Sequence, residues 1–224
     1  MSASTSMSLH EQGWLNLASN LEEGLLENIR GSLFCPDRAG TRCLLDHPLV
    51  RQATVQVREY LVALGHLHAG SVAIQAIAFD KTLATNWKVA WHQDLMFPMA
   101  RMASAHGYAL ACEKDGVPFA RPPSDVLADL TAVRLSLDPC GVDNGPLRVM
   151  PGTHRHGILS AAQIADHVSR TAETICTNAA GDLLLMKPLL LHASSQATAP
   201  GHRRVLHLVY HNGGGVPGPW HRCV

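Results

Sequence analysis

The chain has 224 residues, of which 46% are hydrophobic and 16% are charged, a composition typical of globular proteins and not of disordered or fibrous ones. Basic and acidic residues number 18 each, so no net positive charge is available to attract nucleic acid. The chain begins without a basic region followed by an apolar core, and no later stretch approaches the ~20 apolar residues of a membrane span. We therefore expect a cytoplasmic protein with one domain over residues 1–224, residues 1–10 flexible, and neither nucleic acid nor membrane as partner.

Two amphipathic helices are predicted in the first third of the chain. Leucine and isoleucine recur at near-helical spacing from Leu15 to Ile29, with glutamates between them, which predicts a helix ending near Gly31. A second apolar stripe begins after Pro48 and ends at Gly65. We expect both helices to pack on the outside of the structure that follows.

From Ser71 onward the chain changes to short apolar runs separated by Gly, Pro, Asn and Asp, a pattern that predicts an all-β sandwich or barrel over roughly residues 71–212. The segment from Ser160 to His167 is predicted to be a helix that connects two strands. Residues 213–219 are rich in Gly and Pro, cannot continue a strand, and are expected to form a covering loop. The predicted strands lie in SVAIQAIAF, WKVAWHQDL, TAVRLSLD, PLRVM, ETICT, GDLLLM, LLLHA and RRVLHLVYH.

The segment WHQDL contains the first candidate for chemistry. Residues two apart on an extended backbone project to the same face, so His92 and Asp94 can present an imidazole and a carboxylate to one point. A histidine–x–aspartate pattern is weak by itself, but His192 follows an apolar run and, once buried, needs a polar partner. Two histidines and one carboxylate are the facial triad of mononuclear non-haem iron(II) oxygenases, which leaves coordination positions open.

Downstream residues can anchor a dicarboxylate beside that metal. The keto oxygen and adjacent carboxylate of 2-oxoglutarate would occupy two open positions, and a guanidinium fork suits its distal carboxylate. Strand alternation alone leaves both Arg203 and Arg204 open as that guanidinium, because either set of alternate residues in RRVLHLVYH could face inward. The candidate co-substrate contacts are Arg203, Ser194, Asn86 and Lys88.

Three blocks of the sequence together resemble the phytanoyl-CoA dioxygenase family of iron(II)/2-oxoglutarate-dependent oxygenases. They are WHQDL at 91–95, NGPLRVMPGTHRHG at 144–157 and LLLHASSQATAPGHRRVLHL at 189–208. The resemblance implies a mainly β fold, a double-stranded β-helix of the jelly-roll, cupin-like kind. We interpret the middle block as a turn and strand that shape the barrel mouth.

The resemblance also implies a set of residue roles. Iron is held by His92, Asp94 and His192, and the distal carboxylate of 2-oxoglutarate is gripped by Arg203 together with Ser194. The spacing found in the family selects Arg203 as the anchor, and the neighbouring arginine is then expected to face solvent.

The implied activity is a dioxygenase reaction that uses iron(II), 2-oxoglutarate and dioxygen to hydroxylate an unactivated C–H bond of a small molecule. Succinate and carbon dioxide are released. Because the chain is short for this family, a metabolite smaller than an acyl-CoA is expected. The alternatives are a non-catalytic cupin-like module that binds a metal or ligand, and a jelly-roll isomerase or epimerase that acts through a general base. Neither the substrate nor the oligomeric state follows from the sequence.

Overall fold

The computed structural model describes residues 9–34, 38–101, 107–213 and 219–224. Within these ranges residues 9–12 form one helical turn, and the longer helices precede or connect the strands. The helices are α1 (Glu23–Ser32), α2 (Pro48–Ala63), α3 (Ser124–Asp129) and α4 (Ala161–Arg170).

The strands are short and follow one another with brief connections. In chain order they are β1 (Trp14–Leu17), β2 (Gly40–Thr41), β3 (Val72–Asp80), β4 (Val89–His92), β5 (Phe97–Pro98), β6 (Ala109–Lys114), β7 (Val117–Arg121), β8 (Leu130–Ser136), β9 (Leu147–Val149), β10 (Thr174–Cys176), β11 (Leu183–Met186), β12 (His192–Ser194) and β13 (Arg204–His211).

Two antiparallel sheets form the barrel, and a third small sheet lies beside them. The major sheet has the order β1-β11-β8-β13-β3-β2 and the minor sheet the order β10-β9-β12-β4. Apolar side chains from both sheets meet in one core, so the sheets face each other; Val209 and Leu184 of the major sheet join Leu147 and Val149 of the minor sheet there. The predicted double-stranded β-helix is confirmed. The third sheet has the order β5-β7-β6.

Alternation along the strands separates an inner from an outer face of the major sheet. On β13, Leu206 and Leu208 are fully buried in a second core that also contains Ile29 of α1 and Val57 of α2. The helices therefore cover the outer face, as predicted, and each leucine buried there contributes about 1.5–3 kcal/mol. The intervening residues of β13 consequently face the barrel interior.

One predicted helix begins later in the chain than expected. The structure places Trp14–Leu17 in strand β1, which pairs antiparallel with β11, and the helix starts only at Glu23. The leucine spacing is compatible with both structures, but the edge of β11 offers backbone partners that a helix at this point would leave unused. The first helix is therefore shorter than predicted.

The other predicted helices agree with the structure. The second spans Pro48–Ala63, and α4 begins after Ser160, whose side chain and that of Gln163 form a reciprocal capping box. Of the N-terminal segment predicted to be flexible, residues 1–8 lie outside the described residues, whereas Leu9 is buried in the helix-side core. Of the predicted covering loop, residues 214–218 also lie outside them. None of the described helices is both long and apolar enough to cross a membrane.

Candidate metal centre

Two histidines face each other across the pairing of β4 with β12. His92 ends β4, His192 begins β12, and the two are register partners with ring centroids 4.2 Å apart. The amide of Asp94 donates to the carbonyl of Pro188 at 2.9 Å, which ties the carboxylate to the chain entering β12. One oxygen of Asp94 lies 3.6 Å from Nε2 of His92 and the other 3.6 Å from Nε2 of His192. The three potential ligand atoms all lie within 4.8 Å of one another.

Both imidazoles are oriented by backbone carbonyls. Nδ1 of His92 lies 2.9 Å from the carbonyl oxygen of Ala90, and Nδ1 of His192 lies 2.9 Å from that of Leu190. A ring nitrogen that donates to a carbonyl must carry the proton, so in the neutral ring Nε2 keeps its lone pair. Each histidine therefore directs a metal-binding nitrogen at Asp94, in the arrangement that orients histidine ligands in metalloproteins.

The three groups shift one another's pKa values. Burial opposes ionisation of Asp94, but the nearby His192 and the hydrogen bond with His92 together lower its pKa. Burial lowers the pKa of His192 to about 4. Burial also acts to lower the pKa of His92, but the hydrogen bond and charge of Asp94 raise it on balance. At neutral pH the centre therefore holds an ionised carboxylate and a neutral His192, which are the states that bind metals.

Gln93, between two of these residues, fixes the loop that carries them. Its Nε2 donates to the carbonyls of Gly157 at 2.8 Å and Leu189 at 2.6 Å, and its Oε1 accepts from the amide of Leu159 at 2.8 Å. The side chain is 7% exposed, so these bonds form in a largely dry environment. Gln93 thereby joins the His92–Asp94 segment to the chain that leads to the third ligand.

A buried threonine holds the strand that carries His192. The Thr153 hydroxyl donates to the carbonyl of Met150 at 2.8 Å and accepts from the amide of Leu191 at 2.9 Å. The amide of Met150 in turn donates to the carbonyl of Leu191 at 2.9 Å. The middle sequence block thus lies against the residue before His192, and it supplies no metal-ligand side chain to the candidate site.

Two buried cationic side chains and one hydroxyl lie at one end of the same barrel. Lys81, Ser194 and Arg203 are buried, with 1%, 4% and 3% exposure. Nζ of Lys81 donates to the carbonyl of Ser195 at 2.5 Å and to Oγ of Ser194 at 3.4 Å. Burial, with Arg203 close by, lowers the pKa of Lys81 to about 8. The Arg203 guanidinium donates to the carbonyl of Gly145, but its Nε has no partner among the described residues.

The structure separates the two adjacent arginines that strand alternation left open. Arg203 lines the cavity beside His192. Arg204 lies on the other face, where Nε and Nη2 each donate to Asp138 at 2.8 Å. Of these two arginines, only Arg203 lines the cavity.

A cavity of about 200 Å³ connects the metal-binding atoms with Arg203. Its partly exposed residues include Phe79, Trp87 and Val89, so it opens on the side of β3 and β4. The lining consists of Gln75, Ile77, Phe79, Trp87, Val89, His92, Asp94, Arg134, Leu147, His192, Ala193, Ser194, Arg203 and His207.

Two of the predicted co-substrate contacts lie elsewhere. Asn86 bonds to the backbone of Ala197 through both its amide nitrogen, at 2.9 Å, and its amide oxygen, at 2.7 Å. Lys88 is exposed. Neither residue lines the cavity: Asn86 braces one loop against another, and the Lys88 side chain is exposed.

The cavity contains two polar residues, Gln75 and Arg134, to which the sequence gave no role. It also contains His207, for which the sequence left a pocket-lining role and a structural role open. His207 and Arg134 are register partners on β13 and β8. Burial lowers the pKa of His207 to about 3. Each of these polar residues interrupts an apolar strand, which indicated that it is unusual for its position. Alternation alone did not show whether it faces the inside or the outside of the barrel.

The donor set fits a mononuclear metal with 2-oxoglutarate. Two imidazole nitrogens and one carboxylate converge from one side, and the unpartnered Nε of Arg203 offers a donor for a distal carboxylate. Ser194 and Lys81 lie beside that donor. The arrangement can therefore bind a divalent cation and a dicarboxylate side by side.

Comparison with protein families shows the family to which the chain belongs. The family model described as phytanoyl-CoA dioxygenase (PhyH) matches residues 42–205, and the chain belongs to that family. No curated protein sequence matches the chain.

Solved structures share the fold at low sequence identity. The non-heme alpha ketoglutarate dependent carbocyclase SnoK from nogalamycin biosynthesis is 12% identical with a TM-score of 0.69, covering 98% of this chain and 87% of that one. HygX from Streptomyces hygroscopicus, with nickel and 2-oxoglutarate bound, is 14% identical with a TM-score of 0.66 and coverages of 96% and 88%. The non-heme alpha ketoglutarate dependent epimerase SnoN, also from nogalamycin biosynthesis, is 10% identical with a TM-score of 0.64 and coverages of 97% and 92%. Enzymes with different reactions thus share this fold.

Proposed function

We propose that this member of the phytanoyl-CoA dioxygenase family is an iron(II)- and 2-oxoglutarate-dependent dioxygenase that hydroxylates an unactivated C–H bond of a small molecule, releasing succinate and carbon dioxide. The observation that carries the proposal is the placement of both Nε2 atoms, from His92 and His192, 3.6 Å from the two oxygens of Asp94. This is the facial donor set that leaves coordination positions open for a co-substrate and dioxygen. When bound, the iron would activate dioxygen, which is the oxidant, and 2-oxoglutarate would supply two of the four electrons that reduce it.

The residues of the chain have separate tasks in this reaction. His92, Asp94 and His192 would hold the metal, and the carbonyls of Ala90 and Leu190 keep the two rings oriented. The distal carboxylate of 2-oxoglutarate would be held by Arg203 with Lys81 and Ser194. A carboxylate placed there would neutralise buried cations that are costly to leave unpaired.

The remaining lining places the substrate and excludes water. Ile77, Phe79, Trp87 and Val89 give the cavity an apolar side next to the metal-binding atoms. At about 200 Å³ the cavity is smaller than the usual range for drug-sized ligands, and 2-oxoglutarate would occupy much of it. A small substrate, approaching from the open side between β3 and β4, therefore suits the site better than a bulky one.

The proposal is tested in two stages. Calorimetric titration of the metal-free protein should show that 2-oxoglutarate binds only weakly without a divalent metal and much more tightly with anaerobic iron(II). Aerobic incubation with pooled metabolites should then give succinate in excess of a control that lacks metabolites. Failure of 2-oxoglutarate to bind the iron-loaded protein would exclude the proposed function.

The mass of the product decides the type of reaction. Hydroxylation adds one oxygen atom, ring closure removes two hydrogens, and epimerisation leaves the mass unchanged. A product carrying one atom of oxygen-18 from labelled dioxygen would support hydroxylation. Binding of metal and 2-oxoglutarate without succinate release from any metabolite would favour the non-catalytic ligand-binding alternative, and isomerisation without 2-oxoglutarate would favour the general-base alternative.

A further inference from the structure

Among the described residues, one arginine of the barrel lines the cavity without a hydrogen bond or salt bridge. Arg134 is in the middle of β8, with Leu184 of β11 and His207 of β13 as register partners. It lines the cavity together with His192 and Asp94. Within residues 9–34, 38–101, 107–213 and 219–224 its guanidinium makes no hydrogen bond or salt bridge, and it lies 5.9 Å from the centre of the Phe79 ring.

The surroundings of Arg134 make an unpaired cation costly. The neighbouring inward residues Ala132, Leu184 and Leu147 belong to the barrel core. Desolvation by these surroundings, together with the proximity of Arg203, lowers the pKa of Arg134 to about 10, while Asp94 acts in the opposite direction. Arg134 is half-buried and lines the cavity, and a partly desolvated cation in such a position favours an anionic ligand.

The position of Arg134 along the barrel differs from that of the proposed distal anchor. Its register partner His207 is four residues beyond Arg203, which at about 3.3 Å per residue puts the two backbone positions roughly 13 Å apart. The Arg134 side chain spans part of that distance, since it also lines a smaller cavity with Arg203. His207 is one of the groups that lower the pKa of Asp94, so this position lies near the metal-binding carboxylate. The distal end already has Lys81 and Ser194 beside Arg203, whereas the metal end has no other cationic side chain in the cavity lining.

We propose that Arg134 binds the carboxylate of 2-oxoglutarate that adjoins its keto group, at the metal end of the co-substrate. This inference rests on the proposed function, because it assumes 2-oxoglutarate as the ligand. A carboxylate has two oxygens, and when one of them binds a metal the other is free to accept from a donor in the cavity lining. The free guanidinium supplies that donor, and Arg134 thereby acts as a positioning residue for the co-substrate.

The two proposed anchors can be distinguished with a co-substrate analogue. In 2-oxopentanoate the keto group and the adjacent carboxylate are retained, but the distal carboxylate is replaced by methyl. An anchor at the metal end contributes to the binding of both compounds, whereas an anchor at the distal end contributes only to that of 2-oxoglutarate. Comparing the two compounds therefore assigns each arginine to one end.

The experiment is calorimetric titration of the Mn(II)-loaded protein with both compounds. We expect Arg134→Met to weaken the binding of both compounds by a similar factor, more than about tenfold, since it removes a charge-assisted contact. Arg203→Met should weaken the binding of 2-oxoglutarate but not that of 2-oxopentanoate. Arg134→Lys keeps a charge but not the planar guanidinium. Its affinity for both compounds should lie between that of Arg134→Met and that of the unmodified protein. The control Arg148→Met removes an arginine that pairs with Glu173 outside the cavity and should change neither affinity.

Two further measurements distinguish a folding defect from a loss of ligand binding. Because Arg134 makes no hydrogen bond or salt bridge with the described residues, Arg134→Met should not lower the thermal unfolding temperature of the unliganded protein. Unchanged affinity of Arg134→Met for 2-oxopentanoate would overturn the inference, and selective loss of 2-oxoglutarate binding would place Arg134 at the distal end instead. If the unmodified Mn(II)-loaded protein binds neither compound, the proposed function is wrong. This outcome differs from one in which only the assignment of Arg134 is wrong, because the unmodified protein then still binds both compounds.

Discussion

His92 and His192 are register partners across two paired strands, and the two oxygens of Asp94 each lie 3.6 Å from one of their Nε2 atoms. The relationship is set by backbone pairing, and each ring is also oriented by the carbonyl two residues before it, that of Ala90 or Leu190. A site built on paired strands holds its ligands more rigidly than one built on loops.

The first prediction concerns the metal ligands. Replacing His92, Asp94 or His192 singly with Ala should weaken iron(II) binding by more than about 100-fold, because even residues that only orient a ligand contribute 10–100-fold. Anaerobic titration of each purified variant measures this directly. His68→Ala removes an exposed histidine in the turn before β3 and should bind iron as the unmodified protein does. Three variants with full affinity would refute the assigned centre.

The second prediction concerns the pH dependence of metal binding. The pKa of His92 is raised whereas that of His192 is lowered to about 4, so His92 takes up a proton first as the pH falls. Metal binding must displace that proton. The dissociation constant for Mn(II) should therefore be constant above the pKa of His92 and rise by about tenfold per pH unit below it. A constant affinity down to pH 5 would contradict this account.

The third prediction compares the adjacent arginines. Arg203→Ala should raise the dissociation constant for 2-oxoglutarate by more than about tenfold, because it removes the proposed distal anchor. Arg204→Ala should leave that constant unchanged but lower the free energy of unfolding by about 1–3 kcal/mol, since it breaks a two-point contact with Asp138. Calorimetry and urea unfolding of both variants provide the measurements, and the opposite ranking would move the anchor to Arg204.

The fourth prediction uses the lowered pKa of Lys81. This pKa is about 8 in the unliganded protein, so Lys81 is charged below that pH and loses its charge above it. An anionic ligand binds the charged form better, and the affinity for 2-oxoglutarate should decline as the pH rises beyond about 8. Lys81→Met should bind more weakly at pH 7 and lose this decline, whereas Lys88→Met, at an exposed position, should retain it. A decline that persists in Lys81→Met would assign it to another group.

The fifth prediction concerns Gln93. Its side chain satisfies the carbonyls of Gly157 and Leu189 and the amide of Leu159. Gln93→Leu keeps a similar size but leaves these groups unpaired, at a cost of about 1–3 kcal/mol for each that stays buried. We expect lower stability of the metal-free protein together with weaker iron(II) binding, measured by urea unfolding and anaerobic titration. A stable variant with normal affinity would show that the loop is held by other contacts.

Local patterns in the sequence were enough to predict the fold class and the candidate ligands. Alternation of apolar residues indicated the strands, because successive side chains on extended backbone point to opposite faces. The same rule placed His92 and Asp94 on one face. The apolar run before His192 indicated the third ligand, which lies 100 residues beyond His92 in the chain and is its register partner in the structure.

Only the tertiary structure decided which face of each strand packs against the helices and which segment pairs with each strand edge. Alternation divides β13 into two faces but does not say which one the helices cover; the packing of Leu206 and Leu208 against the helices turns Arg203 inward and leaves Arg204 to Asp138. The free edge of β11 likewise made Trp14–Leu17 a strand, although its leucines also fit a helix. Which arginine lies inside and which segment pairs with an open edge depend on contacts between residues distant in the chain, and such contacts leave no periodic signal in the local sequence.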